Sequence, residues 1–374
     1  MNASLLPDML EVTRLTRAGR LKEATALLQA RFGGQQDMGE AAPAGIPRLP
    51  GPTPEPAARR PSVAAWLRRT PKPAWEGKPQ ARPEPPPPPG ARFVDGSFSA
   101  AAGRCGYKLY IPSQICEPAP LVVMLHGCTQ SPDDFAAGTR MNALAEAQGF
   151  LVVYPAQTQA ANAQKCWNWF RPGDQSRDGG EPALIAGITR QVMREHAIDP
   201  RRVYVAGLSA GGAAAAIMAQ AYPELYAAAG VHSGLACGAA RDLPSALAAM
   251  RQGAAGGVPD ARAPVPTIVF HADRDTTVHP RNGDQVIAQF GPAGLSSEVQ
   301  QGQVPGGHAY RRTVHRDGED RAVLEQWLVH GGGHAWSGGS SAGSYTDPLG
   351  PDASAEMLRF FLEHPKPGQA SGGA

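Results

Sequence analysis

Apolar runs too short for a helix recur along this chain. Leu121 to Leu125 (LVVML), Leu151 to Tyr154 (LVVY), Val203 to Ala206 (VYVA), Ala228 to His232 (AAGVH) and Thr267 to His271 (TIVFH) are nearly continuous, with Gly106 to Ile111 (GYKLYI) ahead of them. Strands of that kind are buried on both faces. Between them lie stretches of helical spacing or strong helix formers, at Asp133 to Gln148, Pro182 to His196, Ala210 to Ala221, Pro244 to Arg251 and Gly283 to Phe290. The alternation predicts an α/β fold, a mostly parallel central sheet with helices on both faces. Sites in such sheets form at the carboxyl ends of the strands, so the polar residues just after each run are the ones to weigh.

The same pattern divides the chain. Residues 1–34 carry two apolar stripes, Leu6, Met9, Leu10 and Leu15, then Leu21, Ala24, Leu27 and Leu28, parted by Ala18-Gly19-Arg20. They predict a small helical hairpin that docks or caps. From 35 to 90 proline takes over, ending in Pro85 to Pro89, which favours extended conformation and reads as a disordered linker. The α/β domain is expected over 91–365, and a disordered tail over 366–374.

One strand turns into a helix within five residues, Gly207-Leu208-Ser209-Ala210-Gly211. Glycines there permit a tight, strained backbone that lifts the Ser209 hydroxyl above the sheet. The Ala210 N–H then lies at a helix start, where partial positive charge favours a developing oxyanion. The five-residue pattern alone is weak. With 44 glycines in the chain, each serine has roughly a one-in-seventy chance of such flanks. Gly339-Ser340-Ser341-Ala342-Gly343 matches too, but without a strand before it or a helix after it, and is expected to be a flexible loop. Context selects Ser209.

A nucleophilic serine needs an acid, a base and oxyanion donors, in the chain order serine, acid, histidine. After LVVML comes His126-Gly127-Cys128, where Cys128 would offer the second oxyanion N–H and His126 would orient the loop rather than act as base. After TIVFH two carboxylates compete, Asp273 and Asp275, and Asp273 has the alternative of capping a turn. Glu325 to Val329 (EQWLV) reads as a strand, followed by His330-Gly-Gly-Gly-His334. Glycines around His334 let its loop reach the serine, so His334 is the expected base and His330 a structural residue. The three glycines preclude a helix, and with it a metal pair of His330 and His334 at i, i+4. His308 and His315 read as surface residues.

Trp167 and Trp169, in CWNWF after LVVY, and Trp336, two residues past His334, predict an aromatic substrate-binding wall. Core packing is the competing reading. Cys128 and Cys166 both fall beside the site, where a bridge would brace the oxyanion loop, although sequence does not give connectivity. The segment Gly238 to Pro264, helical in its middle, is expected to move over the site as a lid.

Charge and length narrow the partners. With 35 basic and 33 acidic side chains the net charge is +2, which excludes a broad nucleic-acid surface. The apolar runs are strand-sized, so no membrane span is expected. Met1 to Gly34 carries charges where a secretory signal needs an unbroken apolar segment, which predicts a cytoplasmic location, with the extracellular region as the alternative. Five cysteines leave at least one free in a monomer, and nothing bears on oligomeric state.

Taken together, LHGCTQSPDDFAAGTRMN, CWNWF, GEPALIAGIT, VYVAGLSAGG, HADRDTTVHP and GGGHAWSGG resemble the polyhydroxybutyrate depolymerase family of esterases, related to feruloyl and acetylxylan esterases, over about Ala91 to Glu363. The resemblance implies an α/β-hydrolase fold with Ser209 as nucleophile, Asp275 as acid and His334 as base, and no cofactor. It implies an ester or polyester substrate, with short-chain esters cleaved through an acyl-enzyme, above all poly(3-hydroxybutyrate) or its oligomers. Feruloyl or acetylxylan esters are the alternative. The reading from another class is a catalytically silent polymer-granule binding protein, against which an intact serine, acid and histidine in order weighs.

Overall fold

A computed structural model of the protein describes residues 88–255, 265–291 and 294–367. The expected hairpin over 1–34 and nearly all of the linker lie outside these residues, as do 256–264 of the expected lid and the tail from 368.

The strands are β1 (Arg92–Ala100), β2 (Gly103–Ile111), β3 (Ala119–Leu125), β4 (Leu151–Ala156), β5 (Ile198–Leu208), β6 (Ala228–His232), β7 (Thr267–Ala272), β8 (Ser296–Gln303), β9 (Ala309–Arg316) and β10 (Ala322–Val329). They form one sheet in the order β1-β2-β4-β3-β5-β6-β7-β10-β9-β8. From β4 across to β10 neighbours run parallel, while β1, β2, β9 and β8 extend the two sides antiparallel. Two short strands, β11 (Trp336–Ser337) and β12 (Thr346–Asp347), pair apart from it.

Continuous apolar runs become two-sided burial because side chains alternate along a strand. Leu121, Val123 and Leu125 of β3 join Val203 and Val205 of β5 in one core, while Val122 and Met124 join Tyr204, Ala206 and Leu208 in the other. The first core is covered by α3 (Gly180–Glu195), α4 (Ala210–Ala221), α5 (Leu243–Gln252) and α6 (Arg281–Gln289). The second lies under α1 (Pro132–Thr139), α2 (Met141–Gln148) and α7 (Ala353–Glu363), with Phe360 and Phe361 fully buried. Burying a side chain of that size contributes about 1.5–3 kcal/mol.

The single helix expected over Asp133 to Gln148 is two. Ser131 caps the first by accepting the Asp134 N–H, and Arg140 ends it in the left-handed region at φ 57°. The antiparallel extension was only partly foreseen, since β8 is polar and almost wholly exposed. It is anchored where Glu325 of β10, fully buried, receives Arg312 (2.8 and 2.9 Å) and Arg359 (2.6 and 2.9 Å). His308 and His315 are half-buried rather than surface residues. His308 Nε2 pairs with Asp347 Oδ2 at 2.9 Å, so this histidine ties the sheet extension to the β12 loop.

Candidate active site

At the carboxyl end of β5 the backbone reverses at Ser209, with φ 58° and ψ −118°, and α4 begins at Ala210. Such a conformation costs on the order of 1–3 kcal/mol and persists only where packing holds it. The flanking glycines are obligatory by space. A Cβ on Gly207 would stand 2.3 Å from Gly211 O, and one on Gly211 2.0 Å from Leu125 O. Ser209 donates its N–H to His232 O (2.9 Å) and accepts the first helical bond, from Ala213 (2.9 Å). The N–H groups of Ala210 and Cys128 donate to no protein acceptor among the described residues. Two free donors at the ends of adjacent strands suit an oxyanion.

Asp275 and His334 meet, Oδ2 to Nδ1 at 2.7 Å. The other carboxylate oxygen accepts from Thr277 N (2.9 Å) and Val278 N (2.8 Å). Burial alone would raise the Asp275 pKa. His271, whose Nε2 is 3.5 Å away, His334 and the Val278 N–H outweigh it and hold the carboxyl well below the usual range. Asp275 is thus a fixed anion, and the Nδ1–H of His334 is the donor to it. Ser209 Oγ and His334 Nε2 share no hydrogen bond; catalytic hydrogen bonds of this kind commonly tighten only once a substrate is bound.

A histidine not weighed in the sequence ties the Ser209 elbow to the loop that follows His334. His232, at the end of β6, accepts the Ser209 N–H through its carbonyl and the Ser337 N–H (2.9 Å) through Nε2. Its Nδ1–H therefore points to Ser233 Oγ at 3.2 Å. Burial first, then the charges of His271 and His334, lower its pKa to about 3, so it stays neutral beside a charged His334. The signal was a polar residue at a strand's carboxyl end, the rule that picked out His126.

His126 is structural, as expected. Its Nε2 accepts from Gln157 N (3.1 Å), its Nδ1–H turns to Gly127 O (2.8 Å), and burial lowers its pKa to about 4. Cys128 is bonded to Cys166, so the bridge that sequence left open exists. Asp273 takes His330 Nδ1 (2.9 Å) and Gly331 N (2.8 Å), shaping the turn ahead of His334 instead of capping its own loop. Ser341 is exposed in a loop, as expected, although Ser340 N–H docks that loop on Gly138 O (2.8 Å).

The aromatic wall is corrected. Trp167 and Trp336 are 1% exposed and Trp169 6%, so none presents a face to a substrate. The reason is that each of the first two indole N–H groups finds an acceptor, which makes full burial inexpensive. Trp167 Nε1 donates to His126 O (3.1 Å) and Trp336 Nε1 to Ser354 Oγ (3.0 Å), while Trp336 stacks on His232 at 5.0 Å. Trp169 packs edge-on against Phe170 at 5.7 Å. The helix inside the expected lid, α5, is tied to the acid's loop through Met250 O and to α6 through Ala249 O.

A parallel sheet whose strand ends present an elbow serine and a histidine–aspartate pair defines the α/β-hydrolase class. The acetyl xylan esterase from Aspergillus awamori shares the fold, with a TM-score of 0.57 at 21% identity over 73% of this chain and 99% of that one. Within the class, the chain belongs to the family described as Esterase PHB depolymerase, which matches residues 105–295. Ser209, Asp275 and Cys128 fall inside that range and His334 beyond it. Poly(3-hydroxyalkanoate) depolymerase C of Paucimonas lemoignei is 34% identical over 251 residues, 64% of this chain and 60% of the relative. Feruloyl esterase B of Thermothelomyces thermophilus is 32% identical over 139 residues, 37% of this chain and 47% of the relative. This chain thus spans less than two thirds of either relative's length. No helix among the described residues is long and apolar enough to cross a membrane.

Proposed function

We propose that this chain is a serine esterase that cleaves short-chain carboxylic esters through an acyl-enzyme, with oligomers of 3-hydroxybutyrate as its natural class of substrate. The observation that carries the reading is the 2.7 Å pair of Asp275 and His334 on the strand-end face that also bears the Ser209 elbow. Asp275 fixes the imidazole with Nδ1 protonated, leaving Nε2 to take the proton from Ser209 Oγ as the oxygen bonds to the ester carbonyl carbon. The carbonyl oxygen becomes an oxyanion between the N–H groups of Ala210 and Cys128. His334 then returns the proton to the departing alcohol as the C–O bond breaks, which leaves Ser209 acylated. Water, deprotonated by His334, repeats the sequence and frees the acid.

The preference for hydroxyalkanoate esters rests on the Paucimonas relative, the more extensively matched of the two. A panel of p-nitrophenyl esters, feruloyl esters and soluble 3-hydroxybutyrate oligomers tests it. The expected outcome is a higher kcat/KM on acyl groups of about two to four carbons than on long ones, with oligomers cleaved. Preference for feruloyl or long-chain esters would refute the substrate assignment while leaving the mechanism intact.

A further inference from the structure

Four ties of the loop carrying the Cys128 N–H end on one stretch of chain, residues 157–167, while Thr129 Oγ1 and Gln130 Nε2 reach Tyr345 Oη (3.2 Å) and Ser344 O (3.0 Å) on another. Cys128 is bridged to Cys166, and Thr129 N donates to Gln164 O at 2.6 Å. Trp167 Nε1 donates to His126 O (3.1 Å), and Gln157 N to His126 Nε2 (3.1 Å). The covalent tie of Cys128 itself is to that stretch, so the placing of its N–H depends on it.

One side chain gathers it. Glu181, in the first turn of α3, accepts from Asn168 N through Oε2 (2.7 Å), and from Asn168 Nδ2 and Gln157 Nε2 through Oε1 (both 2.5 Å). Gln157 Nε2 also reaches Cys166 O at 3.2 Å. Three donors converge on two oxygens, an arrangement that suits a carboxylate, all of whose lone pairs accept. A protonated acid would turn one oxygen into a donor facing another N–H.

We propose that Glu181 is a positioning residue for the oxyanion hole, holding residues 157–168 in register so that the Cys128 N–H meets the substrate only while Glu181 is ionised. The proposal rests on the serine-esterase reading above. Its pH consequence follows from what faces the carboxyl. Asp174, in the 3-10 turn Pro172–Asp174, takes the Glu181 N–H at 2.8 Å. Cys105 of β2 has its thiol pushed up to about 11, by burial first and also by the Glu181 charge. His126 stands one amide further on, beyond Gln157. Burial and, less strongly, Asp174 push the Glu181 pKa up to about 7, against the bonds from Asn168 and Gln157 that lower it. The ionised form, and with it the hole, is present above about that pH and lost below it.

Initial rates on p-nitrophenyl acetate across pH 5 to 9, for the full chain and for Glu181→Gln and Asn168→Ala, test this. Losing an oxyanion donor costs about 10²–10³ in kcat, so Glu181→Gln should lower kcat at pH 8 by about 10- to 100-fold with KM changed less than about twofold. The acid limb of the wild-type kcat/KM should carry a fall near pH 7 that Glu181→Gln lacks. A purely packing role would lower Tm without changing the shape of that limb. Unchanged kcat at pH 8, or an unchanged limb, overturns the proposal. If Glu181→Gln proves insoluble, full kcat in Asn168→Ala overturns it equally. A wild type that cleaves no ester and takes no fluorophosphonate on Ser209 refutes the esterase reading, and this proposal with it. Normal labelling with an indifferent Glu181 refutes only the proposal.

Discussion

Two histidine–carboxylate pairs stand side by side on the same two loops. His330 meets Asp273 at 2.9 Å, and His334 meets Asp275 at 2.7 Å. The first pair is open to solvent, with side chains 44% and 37% exposed; in the second they are 12% and 0% exposed. An exposed ion pair is screened and contributes about 0–1 kcal/mol. Asp273 spends its other oxygen on Gly331 N and so shapes the turn. Asp275 spends its other oxygen on two N–H groups of its own loop, which lock a desolvated anion against the imidazole. Distance barely distinguishes the pairs. Burial and the direction of the remaining hydrogen bonds do.

The sharpest way to break that comparison is to remove one charge at a time. Asp275→Asn should lower kcat by about 10⁴, because an amide no longer dictates which imidazole nitrogen holds the proton. Asp273→Asn keeps the shape and loses a screened interaction, and should cost less than about tenfold. Steady-state rates on p-nitrophenyl acetate decide, and equal losses would mean that burial is not what separates the pairs.

A smaller effect separates packing from recognition. Trp169→Ala should cost about 3 kcal/mol in urea unfolding, as for other buried aromatic truncations. It should leave the ratio of KM for 3-hydroxybutyrate oligomers to KM for p-nitrophenyl acetate unchanged. A selective rise for the oligomers would restore the indole as a substrate contact.

Much of this was legible in the sequence, and the failures share a cause. The parallel strands announced themselves because burial on both faces demands unbroken apolar runs, and α4 emerged over Ala210–Ala221 as expected. His334 could be chosen over His330 because glycines gave its loop reach. β8, Ser296–Gln303, has no such signature, since an exposed edge strand asks nothing of its side chains. Pattern showed that Trp167, Trp169 and Trp336 cluster near the site. It could not show on which side of the wall they lie, because that depends on distant acceptors such as Ser354 Oγ. Glu181 sat inside a quoted motif and went unweighed for the same reason. Its role comes from Asn168 and Gln157, 13 and 24 residues away.

The central claim is that Ser209 is an activated nucleophile. Reaction with a fluorophosphonate, followed by peptide mapping, tests it most directly, because only an activated serine is modified. One label per chain on the peptide carrying Ser209 is expected, lost in Ser209→Ala and retained in Ser341→Ala, with esterase kcat falling by about 10⁶ in the first variant alone. A wild-type chain that stays unlabelled, or a label that survives Ser209→Ala, would contradict it.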